Sequence, residues 1–181
     1  MISPTIGNVT VSQAIDRIAQ YMDNPDNEYT IMIGTDSQVY DNDICYVTVL
    51  AVHNVGHGGI YFYNKEMVEE RCSLVNRLYT EASKSLEFAS TFMDEIRNHH
   101  LEKLINTKNI EIHVDIGNNG NSCAAIAGAV GMIKGYGYNV KIKPDAYAAS
   151  AIADKKTKNP GKSRRKLRRQ LKKAAQANKW F

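Results

Sequence analysis

Cysteine and long apolar runs are scarce in this chain, and each shortage excludes a class of protein. Only three cysteines occur among 181 residues, Cys45, Cys72 and Cys123. They are far apart, odd in number and form no C-x-x-C pair, which argues against a disulfide framework or structural zinc and fits a reducing cytoplasm. No apolar run approaches the roughly 20 residues of a membrane span, and the N-terminus lacks a basic-then-apolar signal. The expectation is a cytoplasmic protein with no membrane partner. There is no G-K-[ST], hence no P-loop. Acidic residues are missing from the C-terminal end: residues 155–181 hold 12 Lys and Arg and no Asp or Glu. The preceding 154 residues carry 11 basic and all 19 acidic residues, a net of −8. An acidic body with a basic tail points to a polyanionic partner.

What is present reads as one globular domain, residues 1–158, followed by a basic tail, 159–181, after the break Asn159-Pro-Gly161. Tyr29-Thr-Ile-Met-Ile-Gly-Thr-Asp36-Ser-Gln38 reads as a strand rich in β-branched residues. Alternation places Met32, Gly34 and Asp36 on one side and Ile31, Ile33 and Thr35 on the other. Gly34 leaves open space beside Asp36, and a carboxylate there is costly to bury unless it is paired or holds a metal.

Before that strand, residues 11–22 predict an amphipathic packing helix, with Thr10 and Gln13 at capping-box spacing. After it, strands are expected over 44–52 and 59–63, joined by Asp41-Asn-Asp43 and the glycine-rich loop from His53 to Gly59. His53 and His57 in that loop read as solvated side chains. A long helical region is predicted from 66 to about 104, its inward stripe formed by Leu74, Leu78, Ala82, Ser85, Ala89, Phe92 and Ile96. Counting about 100° per residue from Leu74, Glu81 falls at about −20°, beside the stripe, and Glu87 near 220°, facing solvent.

Asn109-Ile-Glu-Ile-His-Val-Asp115-Ile-Gly117 alternates as a fourth strand, with Glu111, His113 and Asp115 on one face. Asp115 closes it at the end where open α/β sheets place their ligands. A helix over 123–134, a fifth strand over 140–143 and a last helix from Asp145 to about 156 complete the order, with Ser150 and Asp154 one turn apart. The expected fold is α/β, a mixed five-stranded sheet flanked by helices: strands 1 to 3 antiparallel, strands 4 and 5 parallel.

Four carboxylates thus stand on four elements: Asp36, Glu81, Asp115 and Asp154. Topology and placement are similar to the ribonuclease H-like fold. Ile33-Gly-Thr-Asp-Ser-Gln38, His113-Val-Asp-Ile-Gly117 and the run from Lys143 to Lys155 resemble the YkuK-like family of predicted ribonuclease H-like nucleases, over about residues 10–158. The resemblance implies a nuclease acting on RNA, DNA or a hybrid through a two-metal-ion site. Two Mg²⁺ or Mn²⁺ ions about 4 Å apart activate water and stabilise the leaving oxygen, and hard cations need oxygen ligands. In this reading Asp36 bridges both ions, Glu81 and Asp115 complete one site and Asp154 the other. Glu87 is the alternative to Glu81, and Asp145, just after Pro144, the alternative to Asp154. His113 is a candidate helper beside Asp115, and Lys143, Tyr147 and Ser150 are candidate phosphate contacts.

The segment 115–122 also resembles the phosphate loop of actin-like ATPases. That loop follows a first strand and opens a hairpin, whereas here it precedes a helix, and 181 residues cannot supply the two domains that enclose ATP. In the tail, Lys162, Arg164, Arg165, Lys166, Arg168, Arg169, Lys172 and Lys173 are candidate nucleic-acid contacts, because positive charge without acid releases counterions on a polyanion. The competing class is a nucleic-acid-binding protein that kept this scaffold without cutting. A pure binder gains nothing from negative charge concentrated where a phosphate must sit.

Overall fold

The computed structural model describes residues 1–102, 105, 110–115, 123–146 and 148–158. Two short strands, β1 (Ile2–Ser3) and β2 (Gly7–Asn8), precede helix α1 (Val11–Tyr21). Thr10 caps α1 by accepting from the Gln13 amide, and the Gln13 side chain accepts from the Thr10 amide, a full capping box. Three strands of 12 residues follow: β3 (Tyr29–Tyr40), β4 (Asp43–Asn54) and β5 (Gly58–Glu69). Then come α2 (Leu74–Asn98), β6 (Ile110–Val114), α3 (Cys123–Gly135), β7 (Asn139–Ile142), a π-helical segment (Ala148–Ala153) and the short α4 (Asp154–Lys158).

The sheet order is β2-β1-β5-β4-β3-β6-β7. β3, β4 and β5 form an antiparallel meander, and β6 and β7 join parallel to β3. Seven strands therefore stand where five were expected. The additions are two-residue pieces at the β5 edge, where Ile2 pairs with Tyr63; strands that short leave no periodicity to read.

The second departure lies between residues 59 and 74. β5 does not end at Tyr63 but stays paired with β4 through Glu69, opposite Asp43. The helix starts only at Leu74, where Ser73 accepts from the Asn76 amide. Absence of Gly and Pro from 66–73 is compatible with either state, and pairing with an existing strand decides for β. Glu70 consequently lies before α2 rather than on it. Similarly, the expected helix from Asp145 onward is a turn at 143–145, the π-helical segment and α4.

One core fills the face of the sheet covered by α1, α2 and α3. Ile31, Ile33, Leu50, Val52, Phe62, Ile110 and Ile112 meet Ile15, Ile18, Ala82, Ala89, Phe92, Ile96 and Ile133 there. The other face packs Cys45, Val47, Val49 and Ala51 of β4 against Ala148 and Ala153. Because β4 is covered on both faces, it reads as a nearly unbroken buried run instead of an alternation. No described helix is long and apolar enough to cross a membrane.

Candidate active site

The parallel register of β3 and β6 runs from Ile31 opposite Ile110 to Thr35 opposite Val114. Asp36 is the next residue of β3, and Asp115 is the first residue past the end of β6. Strand period 2 puts both on the face opposite the α2 helix, one strand spacing apart. β6 ends at Val114 while β3 continues to Tyr40, so beyond Thr35 the described residues register no partner on that edge of β3. Asp36 is thus an interior residue of a long strand, and the site lies where its neighbour stops.

Glu81 approaches from the other face. It is 4% exposed on the sheet-facing side of α2, and the Ser37 hydroxyl donates to its Oε1 at 2.5 Å. Ser85, one turn later, donates to Thr35 Oγ1 or to the Glu81 carbonyl oxygen, both at 2.9 Å, and fastens the same turn to β3. Glu87 is exposed. Burial pushes the Glu81 carboxyl up to about 8; the Ser37 hydrogen bond opposes this, the charge of Asp36 adds to it, Arg77 opposes it and Asp115 adds.

Burial likewise pushes Asp36 up to about 6, against a hydrogen bond from Thr157 and with added repulsion from Asp115 and Asp154. Asp36 is therefore within electrostatic reach of Asp115, Asp154 and Glu81, and Glu81 within reach of Asp115. The four are not yet gathered around one point: among the described residues, no group of three or more His, Cys, Asp or Glu side chains is close enough to hold an ion. Two ammoniums stand on two of the acids. Lys143 Nζ lies 2.6 Å from Asp115 Oδ1, an atom that is buried and has no partner of hydrogen-bond geometry. Lys158 Nζ lies 2.7 and 2.8 Å from the two oxygens of Asp154. Hydrogen bonding to Asp154 raises the Lys158 ammonium, and Asp36 and Asp115 contribute. The donor set, all carboxylate oxygen, fits a hard divalent cation such as Mg²⁺ or Mn²⁺, and cations already sit against two of its members.

Thr157 carries no sequence signal beyond lying three residues after Asp154, yet it is fully buried at the centre of this site. Its hydroxyl lies 2.9 Å from Asp36 Oδ2 and 2.8 Å from the Asp154 carbonyl oxygen, and it donates to one of them at a time. Tyr40 donates to the Thr157 carbonyl oxygen at 2.5 Å, and Lys65 to that of Lys156 at 3.1 Å. The end of α4 is thereby pinned to β3 and β5, which sets Asp154 beside Asp36.

His113 is 2% exposed. The Ala148 amide donates to its Nδ1 at 3.1 Å, so Nε2 carries the proton and donates to Glu111 Oε2 at 3.1 Å. Burial holds it below its usual range, against the opposing pull of Glu111. Both ring nitrogens are occupied: Nδ1 joins β6 to the π-helical segment, and Nε2 is held by Glu111 of the same strand. Asp145 is exposed, with its amide donating to the Ile142 carbonyl oxygen at 2.8 Å. His53 and His57 are also exposed. Tyr147, the loop 116–122, the side chain of Ser150 and the basic residues Lys162, Arg164, Arg165, Lys166, Arg168, Arg169, Lys172 and Lys173 lie outside the described residues.

Comparison with known proteins agrees with this architecture. The curated "Uncharacterized protein YkuK" of Bacillus subtilis (strain 168) is 29% identical over 162 residues, 83% of this chain and 92% of that protein. No solved structure matches at a significant level. The family model described as ribonuclease H-like matches residues 13–158, most of the body. This chain belongs to the ribonuclease H-like family.

Proposed function

We propose that the protein is a metal-dependent nuclease that hydrolyses phosphodiester bonds of RNA, DNA or a hybrid. One observation carries the reading: the β3–β6 register sets Asp36 beside Asp115, and two further acids crowd the same strand edge. A fold gains no stability from carboxylates it must desolvate and oppose to one another, so the arrangement points to a cation. Asp36, Glu81, Asp115 and Asp154 would hold Mg²⁺ or Mn²⁺, with two ions in the full site. When bound, the ions activate water and neutralise the leaving oxygen.

The chain's own part is positional and electrostatic. Ser37 fixes the rotamer of Glu81, and Thr157 that of Asp36. Burial keeps a proton on Glu81 up to about pH 8 in the metal-free protein, and a bound cation would favour its release. The basic residues of 162–173 would hold the substrate backbone, in the cytoplasmic setting that the scattered cysteines suggest.

The second reading, a nucleic-acid binder that does not cut, draws on the lysines seated on Asp115 and Asp154. Incubation of labelled RNA, DNA and hybrid substrates with Mg²⁺, Mn²⁺ or EDTA separates the two. Cutting that requires metal supports the nuclease, and binding without cutting under all conditions supports the binder.

A further inference from the structure

Lys143, just past β7, and Lys158, at the end of α4, differ from the other lysines on this face. Lys65 is engaged with the Lys156 carbonyl oxygen, and the Lys156 ammonium lies over the rings of Tyr61 and Tyr63, 5.7 and 5.1 Å from their centres. Lys141 pairs at 3.8 Å with Glu111. Among the described residues, Lys143 and Lys158 are the lysines paired with carboxylates of the candidate site. Their side chains are 48% and 63% exposed, while those of Asp115 and Asp154 are 11% and 32% exposed. The acids are held by the fold; the ammoniums ride on solvated four-carbon stems that swing at small cost.

We propose that Lys143 and Lys158 are exchangeable counter-ions. In the metal-free protein each neutralises one carboxylate. When a divalent cation takes that carboxylate, the freed ammonium turns to the phosphate backbone of a nucleic acid bound across the site. The inference rests on the nuclease reading. Its logic is charge balance: with Glu81 protonated in the metal-free protein, three carboxylates and two paired ammoniums still leave the site negative and repellent to phosphate. Two divalent cations reverse that sign without removing the lysines, which then contribute phosphate contacts where the bond is to be cut.

The test uses the full chain and three variants, Lys143→Gln, Lys158→Gln and, as a control for loss of nearby positive charge, Lys141→Gln. Free Mn²⁺ is followed by electron paramagnetic resonance during titration. Anisotropy of labelled single-stranded RNA, duplex DNA and RNA–DNA hybrid is measured in Ca²⁺, with probe integrity checked on gels. Lys143→Gln and Lys158→Gln are each expected to bind Mn²⁺ about two- to fivefold tighter than wild type. Each should bind the preferred probe more weakly, with a salt slope shallower by about 0.7–0.9. Lys141→Gln should change Mn²⁺ affinity less than either. If wild type binds Mn²⁺ but the two variants bind it no more tightly than Lys141→Gln, exchange is overturned and the nuclease reading stands. Tighter Mn²⁺ binding with unchanged affinity for the probe also overturns it. A wild type that binds no Mn²⁺, or none of the three probes, overturns both.

Discussion

Ser37 and Glu81 are joined across the interface of α2 with the sheet by a 2.5 Å hydrogen bond, the serine hydroxyl donating to Oε1. The bond reaches a carboxyl that burial has raised to about 8 from a usual 4.5. The folded, metal-free protein therefore holds a proton there that the unfolded chain has lost. Stability from this group is full below about pH 4.5 and is lost as pH rises through about 8. In EDTA at pH 9, Glu81→Gln should melt higher than wild type by about 1–2 kcal/mol, roughly 2–8 °C. The gap should shrink toward pH 5 in calorimetric scans. Equal melting temperatures at both pH values would show that Glu81 is not desolvated.

His113 titrates in the opposite sense. Burial lowers it, so its contribution is present above the usual value of 6.5 and is lost as pH falls through the folded-state value. Nitrogen NMR of the imidazole should show the neutral Nε2–H form at pH 7. His113→Phe leaves the Ala148 amide without its acceptor and should cost about 1–3 kcal/mol. An Nδ1–H form would contradict the hydrogen bond from Ala148.

Asp36→Asn tests the chemistry. It retains an acceptor for Thr157 but removes the charge shared along the β3 edge. Cleavage should fall at least about 100-fold, while nucleic-acid binding without metal stays equal or strengthens. Undiminished cutting, in a preparation cleared of contaminating nucleases, would take the chemistry away from Asp36 and overturn the carboxylate site.

Deletion of 159–181 tests the tail. It removes Lys162 to Lys173 and leaves all four carboxylates in place. Binding should weaken, and the dependence of affinity on salt should become shallower by about 0.7–0.9 per lost phosphate contact. Metal-dependent cutting should persist at high enzyme concentration. An unchanged slope would leave the tail without a role on nucleic acid.

Much of this architecture is legible from residue order because it depends on local pattern. The capping box before α1, the alternation around Asp36 and Asp115, and the angular separation of Glu81 from Glu87 are each written within a few residues. The meander and the parallel additions follow from link lengths and strand-helix alternation, and the ribonuclease H-like assignment follows from three motifs in order on those elements.

Tertiary structure decided the rest, because pairing and contact join residues far apart in the chain. Residues 64–69 became strand because β4 offered a partner. Asp36 lies past the last β3–β6 pair among the described residues because β6 stops at Val114. Thr157 was placed on Asp36 by Tyr40 and Lys65, across separations of 117 and 91 residues. Lys143 and Lys158 meet Asp115 and Asp154 only in the folded chain, where β7 and α4 bring each ammonium against its carboxylate. Periodicity says which way a side chain points; only the packed neighbours determine what it meets there.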